Sequence, residues 1–350
     1  MKIKSFLPPR HQLNGHLQTI LPAFRKIVVP YVRERISTPD GDFLDLDWLK
    51  EKGNKRLVIL THGLEGNSSR PYVTGAARYF HERNWDIIAW NCRSCSGEMN
   101  RTPRLYSHGQ SEDLATVVEY ADSLGQYEQI VLMGYSMGGN LTLKYLGVAA
   151  GNQPASVSHG IAFSAPCRIE HSVDALEVPG NWLYKRKFYR SLLAKIQAKA
   201  AQFPEEVGER LILSEDVGPQ RSNSKESSND QSRQSQVRTK IKKPGMPLWR
   251  EFDRRYSAPL NGFSTAEEFY AYASAANFMT GTTVPVLLVN AVNDPIIPSA
   301  CTPLDLVAKN SLIHIEQPLL GGHVGFHLRG EKRFSWMELR AEQFIVDPPR

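Results

Sequence analysis

The chain has 350 residues, 41% hydrophobic and 22% charged. That is the composition of a globular protein holding one large α/β domain with an insertion, or two modest domains. No run approaches the ~18 apolar residues of a membrane span. The net charge is +6, but Arg221 to Lys243 alone carries seven basic residues against two acidic ones, a net +5, so the basicity belongs to one polar segment and gives no case for a nucleic-acid-binding domain. Met1 to Arg10 lacks the apolar core of a signal peptide, and four cysteines make no disulfide framework, so a reducing cytosol is the expected compartment.

In chain order, Phe6 to Phe24 mixes Pro, Asn, Gly and apolar residues and reads as an irregular arm. Val28 to Ser37 and Phe43 to Trp48 read as strands joined into a hairpin by Pro39-Asp40-Gly41. Arg56 to Leu60 is a short apolar strand running into the Gly-rich loop Thr61 to Asn67. A helix from Pro71 to Arg83 follows, with Pro at its first position, and then a strand from Trp85 to Asn91. Cys92 to Gly109 is a long loop, and Gln110 to Leu124 is helical, with Leu114, Val117, Val118 and Ala121 on one stripe.

The next strand, Gln129 to Met133, leads to Gly134-Tyr135-Ser136-Met137-Gly138 and a helix through Leu146. A strand at Gly160 to Ser164 completes three βα units, which imply a parallel sheet after an antiparallel start. Residues 166–280 break the rhythm with helical stretches at Lys187 to Gln202, Pro247 to Tyr256 and Thr265 to Asn277. Within them, about 207–243 reads as a disordered polar insertion, with almost no apolar residue from Gly218 to Lys243. That basic stretch could give weak peripheral contact with a membrane surface. The α/β pattern resumes with a strand at Val284 to Val289, a helix at Pro303 to Lys309, a strand at Leu312 to Ile315 and a closing helix at Lys332 to Val346. The expected division is therefore a core of 1–165 and 281–350 with a helical cap at 166–280.

Gly134 to Gly138 is a G-x-S-x-G match between a buried strand and a helix. In that context Ser136 sits on a sharp turn with its hydroxyl exposed, and glycines flank it because side chains there would collide with neighbouring backbone. The alternative is a Gly-rich turn with an incidental serine. A nucleophilic serine needs a base, and the base an orienting acid, in chain order Ser, acid, His on a sheet of this type. Asp294 follows one late strand in Asn293-Asp294-Pro295, and His323 follows the other after two glycines. Asp294 could instead be a turn-capping residue, with Glu170 or Asp174 as the competing acid. His327 is the runner-up base. The backbone N–H groups of Met137 and Leu64 are the candidate oxyanion donors. His62 is read as a residue that orients its loop. No cofactor or metal is required by this chemistry. Cys92-Arg93-Ser94-Cys95 has redox spacing but no thioredoxin-like context.

These residues carry a resemblance to the α/β-hydrolase superfamily, and more narrowly to its YheT-type branch, which also contains mammalian lipid esterases. The supporting stretches are Asn14-Gly15-His16-Leu17-Gln18-Thr19-Ile20, His62-Gly63-Leu64-Glu65-Gly66, Gly134 to Asn140, Arg250-Glu251-Phe252-Asp253, Asn293-Asp294-Pro295 and Gly321-Gly322-His323. The resemblance implies an α/β-hydrolase fold, with Ser136 as nucleophile, Asp294 as acid and His323 as base, acting on short-chain or acylglycerol-like esters. Ser94 stands where the branch usually carries glycine, and the polar insertion is unusually long. The expected partner is a small-molecule or lipid ester. A catalytically inactive scaffold of the same fold that serves as a binding module is the competing reading.

Overall fold

The computed structural model describes residues 6–208 and 246–348. The expected disordered insertion at about 207–243, and its membrane contact, lie outside the described residues except at its start, where Val207 is buried in a helical turn, Pro204–Gly208, and so is not disordered. Eight strands form one sheet: β1 (Val32–Ser37), β2 (Phe43–Leu49), β3 (Arg56–Thr61), β4 (Asp86–Asn91), β5 (Gln129–Tyr135), β6 (Val157–Phe163), β7 (Val286–Val289) and β8 (Ile313–Glu316). Their order is β1-β2-β4-β3-β5-β6-β7-β8. The pairs β1–β2 and β2–β4 are antiparallel, and every other pair is parallel. The central strands are apolar runs because both faces are covered. On β2, Asp45 and Asp47 are buried, and Arg35 and Arg33 directly opposite on β1 pair with them at 2.7 Å each.

Helices cover both faces. One face packs α2 (Pro71–His81) and the closing helix Trp336–Val346 through Val73, Ala77, Phe80, Met337 and Phe344. The other packs α3 (Glu112–Ser123) and α4 (Met137–Ala149) through Leu114, Val118, Leu141 and Leu143. Ser335 and Glu338 form a capping box that starts the closing helix.

Between β6 and β7 lie α5 (Ile169–Ala175), α6 (Trp182–Gln202), a short helix at Trp249–Phe252 and α7 (Ala266–Ala273). Their apolar faces form a third cluster, including Val173, Ile196, Trp249, Phe252 and Phe269, which closes on Ile296 and Ile297 from the loop after β7. Ala275 and Met279 pack instead with α4. No helix among the described residues is long and apolar enough to cross a membrane.

Two elements differ from the sequence reading. The arm contains a helix, α1 (Gly15–Ile20), capped by Asn14, whose side chain accepts the Leu17 N–H at 2.9 Å. Six residues are too few for hydrophobic periodicity to show. The helix expected at Pro303 to Lys309 shrinks to one 3₁₀ turn, Leu304–Leu306. Leu306 is buried, but Leu304 and Val307 are exposed, so no apolar stripe is sealed.

Candidate active site

Strand β5 enters α4 through Ser136, whose backbone holds φ 55° and ψ −122°. A non-glycine residue there is strained, and the surrounding packing enforces it. A Cβ on Gly134 would lie 2.1 Å from the Gly138 carbonyl oxygen, and one on Gly138 2.2 Å from that of Thr61. The turn therefore closes only with glycine at both positions. It leaves the Ser136 hydroxyl on the sheet's carboxyl edge, at the head of α4.

His323 Nε2 lies 2.9 Å from Ser136 Oγ, and His323 Nδ1 lies 2.9 Å from Asp294 Oδ2. A carboxylate can only accept, so Nδ1 carries the proton and Nε2 is left to accept from the serine hydroxyl. Asp294 also does what its turn position suggested: its Oδ1 accepts the N–H groups of Ile296 and Ile297 at 2.8 and 2.9 Å. The aspartate thus holds the loop with one oxygen and the imidazole with the other. The competing acids are elsewhere. Asp174 faces Arg250 at 3.2 Å, and Glu170 lies beside His171 at 3.7 Å.

His327, the alternative base, contacts Gln12 at 3.3 Å, and burial pulls its pKa down to about 4. His62 uses both ring nitrogens on backbone: Nδ1 donates to the Gly63 carbonyl at 2.8 Å, and Nε2 accepts the Cys92 N–H at 3.1 Å. Burial lowers its pKa to about 4, so it is a neutral brace for the loop.

That loop leaves the Leu64 N–H unspent beside the elbow. Gly63 N–H goes to the Tyr72 hydroxyl at 3.1 Å and Glu65 N–H to the Tyr106 hydroxyl at 2.9 Å. Leu64 N–H, between them, has no hydrogen-bond partner among the described residues, and neither does Met137 N–H at the start of α4. The loop is pressed on the elbow: a Cβ on Gly63 would lie 3.0 Å from Ser136 Cβ.

The arm supplies contacts that sequence reasoning missed. Thr19 Oγ1 accepts the His323 backbone N–H at 2.8 Å. Gln18 Oε1 accepts both the Gly321 N–H at 2.7 Å and the Asn293 side-chain amide at 3.0 Å. Gln18 and Thr19 therefore hold the loops that carry His323 and Asp294. In the sequence, only the place of Asn14 to Ile20 among the stretches that carry the family resemblance drew attention to the arm.

Two cavities meet at Ser136. Leu64, Ser136, Phe188, Ile296 and His323 line both. The inner one, about 90 Å³, lies under α5, α6 and the Trp249–Phe252 helix and is walled by Ile169, Val173, Leu192, Trp249, Phe252 and Phe269. The outer one, about 510 Å³, opens between the arm, α2 and the start of α6. Cys92 and Cys95 are free and buried, and burial pushes both thiols up, Cys95 to about 11, which leaves them protonated and poorly nucleophilic. Ser94 takes φ 61°, a left-handed conformation that favours glycine.

Sheet order, strained serine and converging loops together define an α/β hydrolase. A sequence model of the alpha/beta hydrolase fold family matches residues 56–320, and the chain belongs to that family. Among its relatives, YheT of Escherichia coli, an esterase by name, is 29% identical over 92% of this chain and 86% of its own length. The human phospholipase ABHD3 is 26% identical over 95% of this chain and 76% of its own. The bovine monoacylglycerol lipase ABHD2 is 24% identical over 96% and 78%. In fold, the chain resembles a solved esterase of Pyrococcus furiosus, with a TM-score of 0.52 at 13% identity over 90% of this chain and 89% of that one.

Proposed function

We propose that this chain hydrolyses carboxylic esters by a serine mechanism, with Ser136 as nucleophile, His323 as base and Asp294 as the group that orients it. The observation that carries the proposal is the unbroken relay Asp294 Oδ2–His323–Ser136 Oγ, 2.9 Å at each step, beside two unspent backbone N–H groups. Esterase or lipase chemistry agrees with the names of its relatives. Ser136 Oγ attacks the ester carbonyl carbon as its proton passes to His323 Nε2. The carbonyl oxygen gains the negative charge, and the N–H groups of Leu64 and Met137 receive it. The positive end of α4 adds to that stabilisation. Collapse expels the alcohol, which takes the proton from His323 and leaves an acyl group on Ser136. Water repeats the sequence and frees the acid. Asp294 stabilises the imidazolium throughout.

The helices of 166–208 and 246–280 serve in this proposal as a cap, and the inner cavity beneath them, walled mainly by apolar side chains, receives the acyl chain. The substrate class is a short-chain or lipid ester. A fluorophosphonate probe tests the assignment. Labelling of the intact protein at Ser136, abolished in Ser136→Ala and accompanied by turnover of a series of p-nitrophenyl esters, is the expected result. An unlabelled, inert but folded protein would leave the non-catalytic scaffold instead. The same ester series ranks acyl-chain lengths.

A further inference from the structure

The outer cavity is asymmetric in charge. Its wall includes Arg25, Arg70 and Lys187 and no carboxylate. None of the three cations forms an ion pair among the described residues. Arg25 is held by the carbonyls of Lys332 and Arg333, and Glu338 and Glu331 answer part of its charge. Arg70 spends one N–H on the Glu65 carbonyl at 2.6 Å, which leaves most of its fork free. Lys187 is exposed on α6, across the cavity from the core. Although the residue is exposed overall, groups packed near its ammonium displace solvent, and that, then the nearby Arg70 charge, pulls the Lys187 pKa below its ordinary value. Arg70 and Lys187 thus line one cavity as like charges, with no carboxylate on its wall. The first turn of α2 also opens here: Arg70 precedes the helix, Pro71 and Tyr72 line the cavity, and no side chain caps that end. The helix therefore adds its positive end to the same place.

Position relative to Ser136 gives this charge a meaning. In the proposed function the inner cavity, walled mainly by apolar side chains with Lys195 and Asp253 among them, receives the acyl chain, and the alcohol half of an ester bound at Ser136 then extends into the outer one. A cavity of about 510 Å³ is within the usual range for a small-molecule site. We infer that Arg70 and Lys187 form an anion subsite for a phosphate carried on the alcohol portion of the ester, so that the preferred substrate is an acyl glycerophosphate rather than a neutral acylglycerol. A guanidinium fork and an ammonium converging from two elements suit phosphate, which offers several charged oxygens. This rests on the proposed ester hydrolysis at Ser136 and adds the leaving group's identity to it.

The test has a binding arm and a turnover arm. In the first, glycerol 3-phosphate is titrated calorimetrically into the full chain at low salt. Saturable binding is expected, weakened on the order of ten-fold in Lys187→Glu and in Arg70→Gln, the loss of one charge-assisted contact. No binding, or binding indifferent to both substitutions, overturns the inference. Inorganic phosphate binding as tightly as glycerol 3-phosphate would identify a site for the free anion and overturn it equally. In the second arm, hexanoyl glycerol and hexanoyl glycerol 3-phosphate are compared. The phosphorylated ester is expected to have the higher kcat/KM, and the ratio to fall towards one in Lys187→Glu. Equal turnover of the two by the intact protein sinks the subsite and spares the esterase. Glycerol 3-phosphate binding without probe labelling of Ser136 sinks the esterase reading itself.

Discussion

Glu65 Oε1 accepts a hydrogen bond from Lys195 Nζ at 2.8 Å, joining the loop that carries Leu64 N–H to helix α6 above it. Tyr106 donates to the same oxygen at 2.5 Å, and Ser191, also on α6, donates to Oε2. Burial pushes the Glu65 carboxyl up, but the Lys195 charge and these hydrogen bonds outweigh it and hold the carboxyl below its usual range. Glu65 itself takes φ 54°. The loop's strained shape is thus held from the helical segment, and any motion of α6 is transmitted to the donor beside Ser136.

Lys195→Met should therefore lower kcat by about ten-fold or more while destabilising the protein by about 3 kcal/mol, since a buried carboxylate loses its partner. Adding Glu65→Gln should recover part of the stability, because the double variant buries no lone charge. Thermal unfolding and steady-state kinetics of the three variants check this. An unchanged kcat in Lys195→Met would mean the loop is held without α6.

The arm makes a second expectation. Thr19→Val keeps the shape but removes the acceptor of the His323 N–H, leaving that donor unsatisfied at a cost of about 1–3 kcal/mol. Gln18→Leu removes the acceptor shared by Gly321 and Asn293. Both should reduce kcat with little change in KM, Gln18→Leu more severely, and both should slow fluorophosphonate labelling of Ser136. Wild-type labelling rates in both would show that the loops hold themselves.

The difference between the elbow and the arm explains what the sequence could disclose. Strands β3, β4 and β5 are apolar runs bounded by turn residues, and the G-x-S-x-G spacing is local, so both were legible. Asp294 and His323 were legible because each follows a late strand in the expected order, with Pro295 and the pair Gly321-Gly322 marking their loops. The hydrogen bonds of Gln18 and Thr19 span 275 to 304 residues of chain, and no local pattern encodes a contact at that distance. The two cavities were equally hidden, since their walls come from the arm, four loops and the helical segment. Ser94 sat in between: its departure from glycine was visible, its φ was not. Its hydroxyl recovers part of that strain by accepting the Asn100 N–H at 3.1 Å.

A third expectation concerns Asp253, on the inner cavity wall. Burial raises its pKa to about 6, although Ser257 and Tyr270 donate to it at 2.5 and 2.8 Å. A carboxyl whose folded pKa is raised binds its proton more tightly folded than unfolded, so stability falls as pH rises from about 4 to 6. The rise from the ordinary 3.8 to about 6 corresponds to about 3 kcal/mol. Asp253→Asn removes this pH dependence. The wild type should lose stability relative to Asp253→Asn between pH 4 and 6, and hold a constant difference above about pH 7. Denaturant unfolding across that range is the measurement. Parallel pH curves for the two proteins would show that Asp253 stays ionised in the fold.

The last expectation separates the two duties of Asp294. Its Oδ1 accepts the N–H groups of Ile296 and Ile297, and its Oδ2 accepts the His323 Nδ1–H. Asparagine can keep the first duty, because its carbonyl oxygen can sit where Oδ1 does. Its amide nitrogen then faces His323 as a donor, which forces the imidazole to carry its proton on Nε2 and leaves it unable to take one from Ser136. Asp294→Asn should therefore lose turnover by roughly 10⁴-fold, the size of the effect when a triad carboxylate is replaced by its amide. Its stability should stay within about 1 kcal/mol of wild type, because the turn bonds survive. Asp294→Ala removes both duties and orphans two buried N–H groups, so it should be as inactive and less stable by about 2 kcal/mol or more. Turnover and denaturant unfolding of the pair decide the matter. Equal stability of the two variants would show that Oδ1 does not hold the loop. An active Asp294→Asn would remove Asp294 from the relay.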